Sequence, residues 1–339
     1  MMSKSQSHLH LQQHQRAWLL GLALLGACVL LGVLGLGVGS TGLESVWQML
    51  QDPVAEQIVW QIRAPRTFGA FLAGGLLGLA GAVAQGLFRN PLADPFLLGS
   101  ASGASLGVAT ALALFGVSPF AKQWVVQLGL TGAAFVGAVA AVLLTLALAR
   151  GVQHTLRLLL AGVVVGVVLG AISSLISQLS PAILQIMQSF MLGSTSFVGW
   201  AACAVMGTVL LLCLMLTWLW ARVLDGLVLG EATAITLGLP LVALRIALIG
   251  VLALATGTAV AQTGLIAFVG LAAPHLVRSV VKTTHDRLIL LSSLMGGVLL
   301  LTADTLARGL VAPQELPVGV LTAVLGGSYL LWLMHRKTL

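Results

Sequence analysis

Long apolar runs, broken by short polar or turn-rich segments, set the pattern of this chain, and it lacks the short alternating strands that a β-barrel needs. A helix requires about 20 apolar residues to cross about 30 Å of hydrocarbon. Stretches of that length, bounded by charge, proline or turn residues, occur ten times: approximately 17–38, 66–87, 96–115, 124–149, 157–178, 198–221, 240–261, 264–281, 288–307 and 316–334. Pro274 interrupts the eighth. The pattern predicts an all-α polytopic membrane protein with about ten transmembrane helices. Residues 1–16 form a polar tail and 17–339 a single transmembrane domain.

Composition excludes a soluble globule. Of 339 residues, 59% are hydrophobic and 7% charged, against about 25% charged in an ordinary soluble domain. Forty glycines and a single tyrosine speak for closely packed helices, because small residues let backbones approach where lipid supplies no hydrophobic drive. The formal net charge of +7 is not a nucleic-acid footprint, since the basic residues sit at the ends of apolar runs. Twelve (Lys4, Arg16, Arg89, Arg150, Arg157, Arg222, Arg245, Arg278, Lys282, Arg287, Arg336, Lys337) fall on the side of the termini, and four (Arg63, Arg66, Lys122, Arg308) on the other. That asymmetry predicts cytoplasmic termini. The first apolar run has no small-residue cleavage site and reads as a retained anchor.

Enzyme signatures are missing. The four lysines follow Ser3, Ala121, Val281 and Arg336, so no Gly-Lys-Ser/Thr phosphate loop exists, and ATP-driven transport would need its motor on another chain. Cys28, Cys203 and Cys213 lie in apolar runs without metal-ligand spacing and read as buried thiols. His8, His10 and His14 read as a solvated tail rather than a metal site. The Ser-rich stretch 99–103 has no basic partner and reads as helix packing. Ala82-Val83-Ala84-Gln85 recurs as Ala259-Val260-Ala261-Gln262 in a span of opposite direction, the form that an inverted duplication, or chance in an Ala-rich chain, would take.

Four places carry polar interest. Residues 225–240 read as a short helix, with Glu231 in its first turn and stop signals at Gly238 and Pro240. Two turns are unstable alone in water, so the protein's own face or a docked partner must support them. Arg63 and Arg66 flank Pro65 at a helix N-terminus, where the dipole disfavours cations. They call for an acidic partner or lipid phosphates. Asp304 and Arg308 are four apart with the acid first, the order of an intrahelical ion pair; proton relay through Asp304, with His275 as a second carrier, is the alternative. Residues 88–95, with two prolines, make a stiff connector or a pore-mouth gate.

Arg63-Ala64-Pro65-Arg66-Thr67, Gly81 through Pro95, Gly230-Glu231-Ala232-Thr233-Ala234, Phe268-Val269-Gly270-Leu271 with Pro274-His275, Ala303-Asp304-Thr305 with Arg308, and Glu315-Leu316-Pro317-Val318-Gly319 together closely resemble the FecCD family of ATP-binding-cassette (ABC) importer permeases for iron chelates and vitamin B12. The likeness covers nearly the whole chain from about residue 17. It implies a type II importer fold with an inverted repeat, working as a homodimer in the cell inner membrane with the translocation path between the copies. Two cytoplasmic ATPase subunits, which bind the ATP and Mg, and a periplasmic binding protein would complete it. No cofactor is expected on this chain, and no nucleic acid.

By the same resemblance, Gly230, Glu231, Ala232, Thr233, Ala234, Ile235, Thr236 and Leu237 form the coupling helix seated on the ATPase. Arg63, Arg66 and Arg308 fall on arginines that meet acids of the binding protein. Asn90, Leu92 and Thr155 match the cytoplasmic gate, although Leu156 stands where a small polar residue is expected. The implied function is ATP-driven alternating access for an iron chelate (siderophore or haem), with cobalamin as the alternative. A proton-coupled secondary transporter and an intramembrane hydrolase are the remote rivals.

Overall fold

The computed structural model describes residues 4–39, 42–43, 49, 51–116, 124–149, 155–228, 230–236 and 241–337. Among these the protein is almost wholly helical. Helix α1 (Lys4–Gly37) leads through a two-residue hairpin, β1 (Val38–Gly39) and β2 (Gly42–Leu43), to α2 (Pro53–Ile58). Asp52 caps α2 by accepting the Val54 N–H at 3.1 Å, and Pro53 opens its first turn. A π-helical turn, Val59–Arg63, feeds α3 (Ala64–Leu87) without a break. There follow α4 (Ser100–Phe115), α5 (Trp124–Leu148), α6 (Thr155–Leu179), α7 (Pro181–Leu192), α8 (Trp200–Leu219), α9 (Ala221–Val228), α10 (Glu231–Thr236), α11 (Leu241–Thr263), α12 (Val269–Val280), α13 (His285–Gly309) and α14 (Val318–Lys337).

Each of the ten expected spans falls on a helix, and among the described residues seven helices are long and apolar enough to cross a bilayer. The span expected at 96–115 corresponds to the 16 residues of α4 and that at 316–334 to the 20 residues of α14. The one expected at 264–281 corresponds to the 12 residues of α12, about 18 Å of helix. Helix α12 starts late because Gly264 and Phe268 both take left-handed backbone, which no helix can include. Two differences run the other way. Helix α1 begins at Lys4 and takes in most of the expected tail, since residues 4–16 contain neither Gly nor Pro. Helix α7 matches no expected span, its 12 residues being too few for one.

The molecule is apolar on the outside as well as inside. Leu22, Leu143, Val167, Leu211 and Leu331 are exposed, a surface that only lipid tolerates. The centre is α3, in which every residue except Phe68 and Phe71 is buried. It packs on α13 at backbone distance. A Cβ on Gly74 would lie 2.2 Å from the Gly296 carbonyl oxygen, and one on Gly78 would lie 2.1 Å from that of Ser292. Small residues four apart on each helix produce this contact. A satellite cluster of Ala17, Leu24, Val277, Val281, Leu288 and Leu291 pins α1 against α12 and α13.

Gly78→Ala is therefore expected to cost about 1–3 kcal/mol, because the obstacle is backbone. At Gly207 the nearest atom to an added Cβ is Leu72 Cδ1 at 3.8 Å, and Gly207→Ala should be neutral or stabilising. Thermal unfolding midpoints of the two variants in detergent check this; equal midpoints would contradict the packing argument.

Candidate functional site

At one end of the bundle the C-terminus of α1, the N-terminus of α3 and the C-terminus of α13 converge on an ionic cluster. Asp304 is fully buried. Its carboxylate receives Arg66 Nε at 3.1 Å, Arg308 Nη2 at 2.6 Å and the Thr195 hydroxyl. Arg66 Nη1 also donates to Glu315 Oε2 at 2.7 Å, where the Ser196 hydroxyl donates at 3.2 Å. Arg308 Nη1 donates to the carbonyls of Gly35 at 2.7 Å and Val38 at 3.2 Å, holding the end of α1 and β1. Arg63 Nη1 donates to the carbonyls of Leu36 and Gly37, both at 3.2 Å. A cavity of about 350 Å³ beside the cluster is lined in part by Asp52, Arg63, Arg66, Arg308 and Glu315.

Arg63, Arg66 and Arg308, expected by resemblance to meet acids of a binding protein, have partners within this chain. All three are buried, at 8%, 6% and 1% exposure, and they are engaged by groups of this chain. The anions missing from the local sequence are Asp304 and Glu315, 238 and 249 residues from Arg66. Desolvated, multiply bonded arginines of this kind lock helices together. Asp304 and Arg308 stand in the intrahelical i, i+4 relation with direct contact. Thr195, Glu315 and the α1 carbonyls were not picked out from sequence as parts of this site. Glu315 had a signal, as the first acid after Arg308 and two residues before Pro317.

The opposite end carries the connector 88–99. Helix α3 stops with paired bonds from Arg89 N to Gly86 O at 3.3 Å and from Asn90 N to Gln85 O at 3.1 Å, the Schellman arrangement. The left-handed position of that motif usually holds glycine; here it holds Arg89, with φ 49°. Asn90 Oδ1 accepts the Leu92 N–H at 2.9 Å, and Asp94 Oδ1 accepts that of Phe96 at 2.8 Å. Leu92 is exposed. Burial pushes the Asp94 carboxyl up to about 6, the Phe96 N–H opposing it. Gln85 donates to the Leu271 carbonyl at 3.1 Å and accepts from Arg278. A cavity of about 580 Å³, lined in part by Arg89, Asn90, Arg278, Lys282 and His285, opens beside the connector. Thr155 is the first residue of α6; its side chain lies outside the described part of the structure.

The segment 225–240, read as one short helix, is two helices among the described residues. Gly230, with φ 104°, separates α9 from α10. In α10 Ala234 is buried, while Thr233 and Thr236 are exposed. The side chains of Glu231, Ala232 and Ile235, and the whole of Leu237, lie outside the described part. Helix α9 is latched to the core. Asp225 Oδ1 meets His285 Nδ1 at 2.6 Å and accepts the His285 backbone N–H at 3.0 Å, thereby capping the positive end of α13. Burial would raise the Asp225 carboxyl, but the hydrogen bonds and charge of His285 outweigh it and hold the group below its usual range.

The FecCD transport family matches residues 23–336, almost the whole described chain. The chain belongs to this family. Among its relatives, the hemin transport system permease protein HmuU of Yersinia pestis is 38% identical over 94% of this chain and 96% of its own length. The vitamin B12 import system permease protein BtuC of Shigella boydii is 39% identical over 96% and 97%. A solved inward-facing structure of a metal-chelate-type ABC transporter superposes with TM-score 0.82 at 29% identity, covering 93% of this chain and 98% of that one. PsaBC of Streptococcus pneumoniae, at TM-score 0.59 and 17% identity, shares the fold. The FecCD chain described here is thus a multi-pass membrane protein whose relatives are permeases.

Two outcomes follow from the geometry. Asp304→Ala leaves Arg66 and Arg308 buried without their common anion and should cost about 3–5 kcal/mol, read as a lowered unfolding midpoint; an unchanged midpoint would contradict the cluster's structural role. Asp94 holds a proton in the folded state that the unfolded chain releases above its ordinary value of 3.8. Its contribution is therefore complete below that pH and lost as pH rises through about 6. Between those limits wild-type stability should fall relative to Asp94→Asn, as pH-resolved thermal melts would show.

Proposed function

We propose that this chain is the membrane-spanning permease subunit of a binding-protein-dependent ABC importer for a bulky iron chelate, either a siderophore complex or haem. The observation that carries the reading is near-full-length likeness to the hemin permease of Yersinia pestis. The vitamin B12 permease of Shigella boydii, 39% identical over 96% of this chain, supports cobalamin as the second reading. The chain itself performs no covalent chemistry. ATP and Mg act on a separate ATPase, in keeping with a sequence that offers no phosphate loop.

The working unit is two copies of this chain on two ATPase subunits in the cell inner membrane, with both termini cytoplasmic and a periplasmic binding protein opposite. The second copy has a face to meet: Leu160, Val163, Val164, Val167, Val168, Ile172 and Leu175 leave one apolar side of α6 exposed. Helix α10 is the contact with the ATPase. Closure of the ATPase pair displaces α9 and α10, and the Asp225–His285 latch passes that displacement to the first turn of α13. Rocking of the copies then opens the path alternately to either side. Asn90 and Leu92 stand at the cytoplasmic mouth as gate residues, together with Thr155.

Uptake of radioiron chelates, haem and radiolabelled cobalamin into cells lacking their own systems, supplied with this permease and its cognate ATPase and binding protein, tests the proposal. Accumulation of one cargo, abolished by Glu231→Arg, is expected. Uptake that persists without the ATPase and follows a pH gradient would replace this reading with a secondary transporter.

A further inference from the structure

We infer that a furrow at the terminal end of α1 and α13 is a binding site for an anionic phospholipid, a site independent of the transport reading. The furrow, about 360 Å³ in volume, is floored and walled by Gly21 and Leu25 of α1 and by Leu290, Leu291 and Leu294 of α13. Trp18 and Trp218, 70% and 56% exposed, also line it. Trp18 follows Arg16 where the polar part of α1 gives way to its apolar run, and Trp218 lies at the C-terminal end of α8, the level at which indoles sit between headgroups and acyl chains. The helices α1 and α13 run from this level in the same direction, so the furrow leads from a polar mouth into an apolar slot.

The mouth carries Arg287 and Asp286, with further basic residues close by in the sequence. Arg287 lines it, is partly buried, and makes no hydrogen bond or ion pair to any described residue. Arg16 immediately precedes the lining residue Ala17, Arg222 lies four residues beyond Trp218, and both are exposed. Lys282, also exposed, is five residues before Arg287. The acid at the mouth, Asp286, accepts from the Thr284 hydroxyl at 2.5 Å in the first turn of α13. Arginine is the side chain suited to hold a phosphate by paired donors. A phosphate at Arg287 with one acyl chain laid over Gly21 satisfies both halves of the site at once.

Two features make this a shaped slot rather than a general greasy face. Gly21 leaves the floor open, since an added Cβ there would meet only Leu291 Cδ2 at 3.6 Å. The furrow also lies beside the satellite cluster that pins α1 to α12 and α13, so a seated lipid extends that fastening toward α8.

The test is tryptophan quenching of the full chain in nanodiscs containing phosphatidylglycerol or phosphatidylcholine brominated on one acyl chain. Phosphatidylglycerol should quench with about fivefold preference, the order expected for one basic residue at the membrane surface. The preference should vanish in Trp18→Phe/Trp218→Phe and in Arg287→Gln. Quenching by either lipid should fall in Gly21→Leu, which fills the slot without meeting backbone. Equal quenching by the two lipids in the wild type overturns the proposal. So does a preference that survives Arg287→Gln, or weak quenching by both lipids, the sign of a furrow covered by protein.

Discussion

Close backbone contact between α3 and α13 is the constraint on which the rest of the molecule depends. In lipid, burying leucine against leucine gains little over leaving it in acyl chains, so helices associate through dispersion and polar contact. Both weaken steeply with distance. Gly74 and Gly78 meeting Gly296 and Ser292 bring the two helices as near as backbones allow, and Ser293 adds a hydrogen bond to the Gly75 carbonyl at 3.1 Å. Everything else is arranged around that ridge: α12 lies against α3 where Gly81 faces the Gly270 carbonyl, and α1 lies against α13.

The ridge has a polar fastening at each end. At one, Asp304 neutralises arginines from α13 and α3, and Arg308 extends the bonding to the α1 terminus. At the other, Asp225 reaches from α9 to His285. Buried ion pairs are weak sources of net stability because desolvation offsets attraction. They are strong specifiers of register, since any slip leaves a charge unpaired. The segments that depart from helix obey the same rule of satisfaction. Thr145 donates to the Leu98 carbonyl, Leu265 N to Phe190 O, and Ser194 N to Thr263 O, so the irregular backbone keeps its partners.

Much of this was legible in the residues. An apolar run of 20 has little choice in lipid except a helix, so the spans could be placed from sequence. Asp304 with Arg308 could be paired because both lie within one helix, four residues apart. Arg66 meets acids that lie some 240 residues away, and nothing in the local sequence says whether an anion comes from the same chain, from another or from lipid. Helix α7 escaped because 12 residues do not stand out as a span. The break at Gly230 was hidden because a glycine between two short helical stretches reads equally well as a cap or as a residue inside one helix. The late start of α12 rests on left-handed backbone at Phe268, a conformation that a phenylalanine does not advertise.

The packing also limits how such a molecule can move. Side chains can change rotamer when helices slide, but a carbonyl held about 2 Å from where a Cβ would be offers nothing to rearrange. The α3–α13 ridge therefore moves as one body, and α13 acts as a rod of 25 residues, about 37 Å long. It carries the Asp225 latch at its first residue and the Asp304 cluster near its last turn. A push on α9 is then felt at the far end as rotation or translation of the whole ridge. Compliance has to come from the connectors at 88–99 and 264–268. Arg89, held in a backbone conformation that favours glycine, sits at one of those connectors, directly beside Asn90.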